Sequence, residues 1–443
     1  MLFFKFRAIL YFMNLRSTLM INEAGHLVIG GCDTAELVKE FGTPLYVTEQ
    51  SRIENTVAAM VRVLNQKYPD SRICFASKAF CCKAVYQIIA PLGLGADVAS
   101  GGELYTALSA GMDPARLYFH GNNKRPDELD DGVRAGVHAV VVDNADEIQA
   151  LNAIAAKHGK TQGVLIRINP GVEAHTHRFI QTARADSKFG FSVEAALSAV
   201  KEILGRPNLD FLGIHCHIGS QIVEAEPFMS AVDRMTDLMV LIRDTFHVNA
   251  RELNMGGGYG IRYTAGDNPP EPHEYVGAVA DKLITCIAQK GLKPPRLIVE
   301  PGRSLVGEAG ITLYRVGAVK DIPGVRKYVS VDGGMYENPR YALYDAKYDA
   351  VLALRALEPA TETVTIAGKC CEAGDMVAAA VELPKAEIGD ILAVLSTGAY
   401  NYSMASNYNR NPVPPVVLCK DGKARYIVAP QTYGDITARD IDL

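Results

Sequence analysis

Short apolar runs alternate with amphipathic stretches along the middle of the chain. Eight runs are rich in aliphatic and aromatic residues, and polar residues or glycine close most of them, which is typical of buried strands. Between several runs, apolar residues recur every three or four positions, a spacing that predicts helices. The predicted strands are 72–79, 95–100, 116–122, 139–144, 163–170, 211–220, 252–260 and 296–306, and predicted helices include 81–93, 145–159, 193–205 and 272–291.

This alternation predicts an α/β fold, a (β/α)8 TIM barrel. Strands that alternate with helices pair in parallel through crossover helices. Eight such units over about 230 residues match the size of a barrel. An open doubly wound sheet is the alternative, but it needs a glycine-rich turn after its first strand, and the sequence RICFASKAFCC has none.

Beyond residue 306 the pattern changes to short strands with turns and little helix, which predicts an all-β C-terminal domain. The stretch 22–32 also reads as a strand or hairpin and could pair with this domain. We therefore expect an N-terminal extension over 1–20, a TIM barrel over 45–305, and a β-domain over 21–44 and 306–443 that completes the active site. The C-terminal runs are 312–322, 327–335, 363–369, 390–397, 414–422 and 423–429.

The composition is ordinary for a globular enzyme and argues against several partners. Of the 443 residues, 48% are hydrophobic, and the net charge of −5 offers no basic face to nucleic acid. The first sixteen residues are too short to span a bilayer, so no membrane partner is expected; a signal peptide is the less favoured alternative to a start at Met13 or Met20. Nine cysteines without paired spacing predict no disulfide framework, no metal site and a cytoplasmic location.

Polar residues and glycines close seven of the eight predicted barrel strands. In TIM barrels the active site gathers at the carboxyl ends of the strands. A single such residue would simply be solvated, but this regularity predicts a site. The residues are Lys78, Asp97, Ser100, Glu103, His120, Asn122, Asn123, Asn169, His215, His217, Ser220, Gly256, Gly257, Gly258, Glu300, Gly302 and Arg303.

Four features of this set suggest one kind of ligand. The run Gly256–Gly258 exposes backbone N–H groups that suit a phosphate, although a glycine run alone is more often a flexible turn. Lys78 could attack a carbonyl carbon, and Glu300 could keep a pyridine nitrogen protonated. His217 could stack on an aromatic ring; standing alone, it would be read as a core histidine.

Nine sequence blocks resemble the alanine-racemase-like, fold type III pyridoxal-phosphate decarboxylases, and most closely the members that act on diaminopimelate. They keep the family's order from about residue 22 to 440 and imply its TIM barrel followed by a β-domain. The blocks are FASKAF, GADVASGGEL, HGNNK, IHCHIGSQ, NMGGGYG, EPGRSLV, VDGGMYENPRYALYDAKY, KCCEAGD and GAYNYSMASNYN.

The resemblance implies a role for each matching position. Pyridoxal 5'-phosphate is the implied cofactor, with Lys78 as its Schiff-base lysine and His217 stacked on its ring. Cys371 resembles the general acid and would come, with Glu372, from the partner subunit, which implies a homodimer with shared active sites. The implied cofactor set is Lys78, Asp97, His217, Ser220, Gly256, Gly257, Gly258, Glu300, Gly302, Arg303 and Tyr400; the implied substrate set is Arg303, Arg340, Tyr344, Glu372 and Tyr400.

The same residues favour one substrate. Arg303 and Arg340 suit a distal carboxylate and Glu372 suits a distal amine, which implies decarboxylation of the small-molecule amino acid meso-2,6-diaminopimelate to L-lysine and CO2. Related decarboxylases of carboxynorspermidine, ornithine or arginine are alternatives, as is a non-catalytic homologue that binds the cofactor. Two positions depart from the family pattern: Tyr341 replaces a common proline and Val413 a common arginine, and neither is catalytic.

Overall fold

A computed structural model describes residues 19–172 and 187–443. The extension predicted over 1–20 therefore falls almost entirely outside the described residues. The chain divides into two compact units: Glu54–Gly260 with Pro269–Leu305 form one, and the described residues up to Ile53, with Ile261–Asn268 and Val306–Leu443, form the other. The domain boundaries expected from the sequence stay a prediction.

The elements are numbered in chain order. The strands are β1 Met20–Ile21, β2 Leu27–Ile29, β3 Cys32–Asp33, β4 Leu45–Glu49, β5 Ser71–Ala76, β6 Gly95–Val98, β7 Leu117–Phe119, β8 Ala139–Val142, β9 Gln162–Ile168, β10 Leu209–Cys216, β11 Glu252–Asn254, β12 Arg296–Val299, β13 Gly310–Ile322, β14 Arg326–Val331, β15 Ala350–Leu352, β16 Glu362–Ala367, β17 Met376–Leu383, β18 Ile391–Val394, β19 Val416–Lys420 and β20 Lys423–Val428.

The helices flank these strands. They are α1 Thr34–Phe41, α2 Gln50–Lys67, α3 Lys83–Ile89, α4 Gly101–Ser109, α5 Pro126–Ala135, α6 Ala145–Lys157, α7 Val193–Leu204, α8 Glu226–Phe246, α9 Pro272–Lys290, α10 Arg303–Val306, α11 Arg340–Tyr344 and α12 Tyr433–Thr437. Within the described residues, none of them is both long and apolar enough to cross a membrane.

Strands β5 to β12 form a closed barrel in sequence order, and β12 pairs with β5. Every neighbouring pair is parallel. The predicted (β/α)8 barrel is therefore confirmed, and the doubly wound alternative is excluded. Side chains from six strands fill the interior, which is the packed core expected of this fold; they are Cys74, Tyr118, Ala139, Val141, Leu165, Leu212 and Ile298.

All eight barrel strands were predicted, but each ends earlier than the sequence suggested. The last one stops at Val299, because Pro301 and Gly302 turn the chain into α10. Some of the polar residues after the strands start helices. The hydroxyl of Ser100 accepts from the N–H of Glu103 and caps α4, so Ser100 serves the helix, which is the ordinary role of serine at such a position.

The second unit is mostly β-structure. Its large sheet runs β17-β16-β14-β13-β4-β19-β20, and β18 joins β13 to β15. The long strand β13 is its centre, because it pairs with β14, β18 and β4 along its length. Residues 20–33 form a separate antiparallel sheet, β1-β2-β3, in the same unit. Strands β1, β4, β15 and β17 were not predicted, and the short helix α11 interrupts the VDGGMYENPRYALYDAKY block.

Candidate active site

A buried carboxylate lies at the carboxyl end of the barrel. Glu300, directly after β12, is 5% exposed and is contacted by three other strand ends. His120 approaches its Oε1 at 2.8 Å, His215 approaches its Oε2 at 3.2 Å, and the amide of Asn254 donates to Oε1 at 2.6 Å. Both histidine contacts are made through Nε2.

This arrangement keeps Glu300 ionised. Burial alone would raise the pKa of Glu300, but its interactions with His120 and His215 bring the pKa well below its usual range. Burial lowers the pKa of His215 to about 4 and also lowers that of His120. The imidazoles are thus neutral near pH 7, and their N–H groups can donate to the carboxylate.

The same three side chains could also be read as metal ligands. Ligand atoms of His120, His215 and Glu300 lie within 4.8 Å of one another. Their contacts of 2.8 and 3.2 Å are hydrogen bonds between the groups themselves. Since each Nε2 already faces a carboxylate oxygen, a hydrogen-bonded cluster explains the geometry without a metal.

His217 stands at the end of β10 beside the glycine run. The N–H of Gly257 donates to its Nδ1 at 3.3 Å. Desolvation and the positive charge of Lys78 lower the pKa of His217 well below its usual range. A neutral, half-buried imidazole held by a backbone amide presents a flat ring at this site.

The glycine run has a packing reason that the sequence did not reveal. A Cβ on Gly257 or Gly258 would overlap the carbonyl oxygen of Glu300 or Gly219, respectively, and Gly256 and Gly258 have φ of 65° and 111°. Glycine is therefore required by close backbone packing and by backbone conformation. The run is a tightly packed turn, and the N–H groups of Gly256 and Gly257 donate to the side chains of Asn254 and His217.

Arg303 and Ser220 lie together beside this turn. An Nη of Arg303 donates to the Ser220 hydroxyl at 2.9 Å, and Arg303 is 6% exposed. Gly302 lies so close to β5 that an added Cβ would be 2.9 Å from the Cβ of Ala76. The structure thus brings a cation and a hydroxyl to the same end of the barrel as Glu300.

Lys78 follows β5 in a short 3-10 turn, Ser77–Ala79, and its side chain is exposed in the single chain. Asp97 is buried next to this turn and accepts from the N–H of Ser77 at 3.3 Å. Burial and Glu300 raise the pKa of Asp97 well above its usual range, whereas the charge of Lys78 opposes this rise. Lys78 thus acts electrostatically on both Asp97 and His217.

In the β-rich unit, Arg340 is 5% exposed at the start of α11. Its Nη1 donates to the Tyr348 hydroxyl at 2.6 Å, and its guanidinium lies 4.6 Å from the ring centre of Tyr263. Tyr344 ends α11 and is half-buried. Tyr400 is also half-buried, with φ of 59°, a left-handed conformation that is costly for a bulky residue and often marks a functional position.

Cys371 and Glu372 lie exposed on the loop between β16 and β17. Asp375 holds this loop, because its carboxylate accepts from the N–H groups of Met335 and Cys370, both at 2.6 Å. The same carboxylate therefore joins the loop to the segment that leads into α11. Cys370 differs from its neighbour: burial and Asp375 raise the pKa of its thiol to about 11.

Comparison with known proteins identifies the family. Residues 53–307 match the pyridoxal binding domain of pyridoxal-dependent decarboxylases. Diaminopimelate decarboxylase of Halalkalibacterium halodurans is 45% identical over 97% of this chain and 99% of its own length, and that of Bacillus subtilis is 44% identical over 97% and 98%. A crystal structure of the M. jannaschii enzyme in complex with L-lysine is 34% identical, with a TM-score of 0.89 over 97% of this chain and 99% of that chain.

The chain belongs to the diaminopimelate decarboxylase family. This membership confirms the family resemblance, the decarboxylase activity and the pyridoxal cofactor expected from the sequence. The roles of individual residues stay predictions.

Several residues with defined contacts in the structure had no predicted role. His120 and His215 were noted only as polar strand ends, and Asn254 and Asp375 lay inside quoted blocks without being singled out. Lys124, in the HGNNK block, is buried in an ion pair with Glu147 at 2.5 Å and donates to the carbonyl oxygens of Gly121 and Val141. A lysine or histidine that follows a strand gives no sign of its partner when that partner is far away in the sequence.

The loop contact of Asp375 yields a prediction. Replacing Asp375 by Asn keeps the size but turns one of its acceptor oxygens into a donor, so one backbone N–H loses its partner, at a cost of about 1–3 kcal/mol. We expect the amides of Met335 and Cys370 to exchange roughly 10- to 100-fold faster, as measured by hydrogen–deuterium exchange. Asp421→Asn, in the exposed turn between β19 and β20, is the control. Unchanged exchange in Asp375→Asn would show that the carboxylate does not hold the loop.

Proposed function

We propose that this protein decarboxylates meso-2,6-diaminopimelate to L-lysine and CO2 with pyridoxal 5'-phosphate as cofactor. The observation that carries the proposal is the similarity to diaminopimelate decarboxylases over 97% of the chain. These relatives align over nearly their whole length with nearly the whole of this chain, so the similarity covers both the barrel and the β-rich unit. Decarboxylases of carboxynorspermidine, ornithine or arginine are not favoured.

The barrel residues fit a pyridine ring that carries a phosphate. When bound, pyridoxal phosphate supplies an electron sink for the electrons of the broken Cα–carboxylate bond. The anionic Glu300, supported by three donors, suits a protonated ring nitrogen. Arg303 and Ser220 offer a cation and a hydroxyl to the phosphate. The glycines Gly256–Gly258 let the phosphate approach the backbone, although the N–H groups of Gly256 and Gly257 donate to Asn254 and His217. Gly302, Asp97 and Tyr400 complete the proposed cofactor residues.

The ionised state of Glu300 determines how it can interact with a pyridine ring. A carboxylate with a pKa well below its usual range accepts a hydrogen bond from a ring N–H without taking its proton. The neutral ring of His217 can pack against a second ring without bringing a charge to it. Lys78 supplies the amine that binds the cofactor covalently.

The substrate residues are assigned by charge. Arg303, Arg340 and Tyr344 bind the distal carboxylate, Glu372 binds the distal amine, and Tyr400 contacts the substrate. Arg340 carries the stronger support, because the partners of its buried guanidinium among the described residues are tyrosines. Ornithine lacks a distal carboxylate and would leave this charge without an anion.

Cys371 is the proposed acid that protonates the reacting carbon. Of the two adjacent cysteines it is the exposed one, whereas Cys370 is turned towards Asp375. We further propose a homodimer in which Cys371 and Glu372 serve the partner's Lys78. None of the nine cysteines forms a disulfide, which fits a cytoplasmic enzyme.

The covalent attachment is tested by reduction with borohydride. We expect the purified protein to be yellow and the pyridoxyl group to map to the peptide that contains Lys78. Lys83→Ala, in which a nearby lysine of α3 is removed, is a control that should keep the label. A label on another lysine would refute the assignment.

Product analysis with the separate stereoisomers of diaminopimelate tests the function. We expect L-lysine and CO2 from the meso isomer and almost no turnover of L-lysine or L-ornithine. Arg340→Ala should lower kcat/KM for the meso isomer roughly 30- to 1,000-fold, since a charged hydrogen bond of about 2–4 kcal/mol is lost. Its cofactor absorbance should remain. Equal turnover of ornithine by the wild type would contradict the substrate assignment.

Mixing inactive subunits tests the shared site. Lys78→Ala and Cys371→Ala homodimers should each be inactive, but exchanged mixtures should regain up to about a quarter of the wild-type activity, because one of the two sites in a mixed dimer has both residues. A mixture of Lys78→Ala with Lys78→Ala,Cys371→Ala is the control and should stay inactive. If the first mixture also stays inactive after proven exchange, the two residues act within one subunit.

A further inference from the structure

The guanidinium of Arg340 lies in an aromatic enclosure within the β-rich unit. Its Cζ lies 4.6 Å from the ring centre of Tyr263 and 5.5 Å from that of Tyr348. The two rings meet edge to face, with centres 5.3 Å apart and an interplanar angle of 87°. All three side chains are buried, with exposures of 5%, 6% and 3%. The two rings therefore restrict the orientation of the guanidinium plane and keep the group buried.

The enclosure stabilises a charge without neutralising it. Among residues 19–172 and 187–443, no carboxylate lies within ion-pair distance of Arg340, and its buried Nε has no hydrogen-bond partner. Within the described residues, the guanidinium donates one hydrogen bond, to the hydroxyl of Tyr348. Burial raises the pKa of Tyr348, although the charge of Arg340 opposes this rise, so the hydroxyl stays neutral. Aromatic faces attract a cation by about 0.5–2 kcal/mol. A carboxylate in their place would compete with any anionic ligand.

We propose that Tyr348 and Tyr263 are positioning residues that set the recognition of the substrate's distal carboxylate by Arg340. The proposal rests on the proposed function, in which Arg340 binds that carboxylate. Tyr348 fixes one Nη by its hydroxyl, and Tyr263 covers a face of the guanidinium. The remaining N–H groups are then held ready for an anion, and less side-chain freedom is lost when it binds.

Two ligands that differ by one carboxylate test this role. L-lysine keeps the distal carboxylate of the substrate, whereas cadaverine has both amines and no carboxylate. Both are used as competitive inhibitors of the holoenzyme, with CO2 release from meso-diaminopimelate as the readout. The wild type should bind L-lysine more tightly than cadaverine, and the ratio of their inhibition constants measures carboxylate recognition alone.

Tyr348→Phe removes only the hydroxyl. We expect the inhibition constant of L-lysine to rise roughly 10- to 100-fold, as for a lost hydrogen bond to a charged group, and that of cadaverine to change less than about 2-fold. KM for meso-diaminopimelate should rise more than kcat falls. Tyr263→Leu removes the aromatic face and should raise the L-lysine constant roughly 2- to 30-fold. It tests the enclosure independently if Tyr348→Phe does not fold.

Tyr68→Phe is the matched control, because Tyr68 is also buried and its hydroxyl donates to the Pro295 carbonyl oxygen at 2.6 Å. It should leave the ratio of inhibition constants unchanged. If Tyr348→Phe and Tyr263→Leu keep the wild-type ratio, or weaken both inhibitors equally, the enclosure has only a structural role and the proposal is overturned. A wild type that neither discriminates between the ligands nor decarboxylates meso-diaminopimelate would instead overturn the proposed function.

Discussion

The hydrogen bonds to Glu300 are the interaction on which the barrel site depends. A carboxylate buried at 5% exposure is stable only if its charge is compensated. His120, His215 and Asn254 provide the compensation from the ends of β7, β10 and β11, while Glu300 itself follows β12. Four strands must therefore hold their register for one charge to be kept. The side chains packed in the barrel interior hold these strands in register. The packing that stabilises the barrel therefore also keeps Glu300 ionised.

The sequence predicted the elements of the barrel better than the contacts between them. The apolar runs predicted all eight barrel strands. Parallel strands of this kind are buried on both faces, so their sequences are nearly uninterrupted runs of apolar residues. The ends were overestimated where glycine and proline turn the chain, as after Val299. The partners of His120 could not be predicted, since Glu300 lies 180 positions away and nothing in a local pattern encodes that distance. Family resemblance selected Glu300, but only the structure explains why its charge is retained.

The glycine run shows a different limit of sequence reasoning. Gly256–Gly258 was read as a phosphate-binding loop or a flexible turn, and the structure adds a third reason for glycine. Neighbouring carbonyl oxygens occupy the space that a Cβ would need. The N–H groups of Gly256 and Gly257 also donate to side chains at the strand ends, those of Asn254 and His217. A function inferred from glycine alone would have missed this packing requirement.

The buried charges of Glu300 and Arg340 are stabilised by different kinds of neighbouring group, and the difference indicates what each can bind. Glu300 has neutral donors on both of its oxygens, which keep it ionised without cancelling its negative charge, so it still suits a cationic N–H group. Within the described residues, Arg340 has aromatic faces and one phenol as partners, and its buried Nε has no acceptor. A buried guanidinium in that state gains most from a carboxylate, whose two oxygens match its fork of donors. The proposed discrimination between substrates with and without a second carboxylate therefore rests on the missing carboxylate partner of Arg340 among the described residues of its own unit.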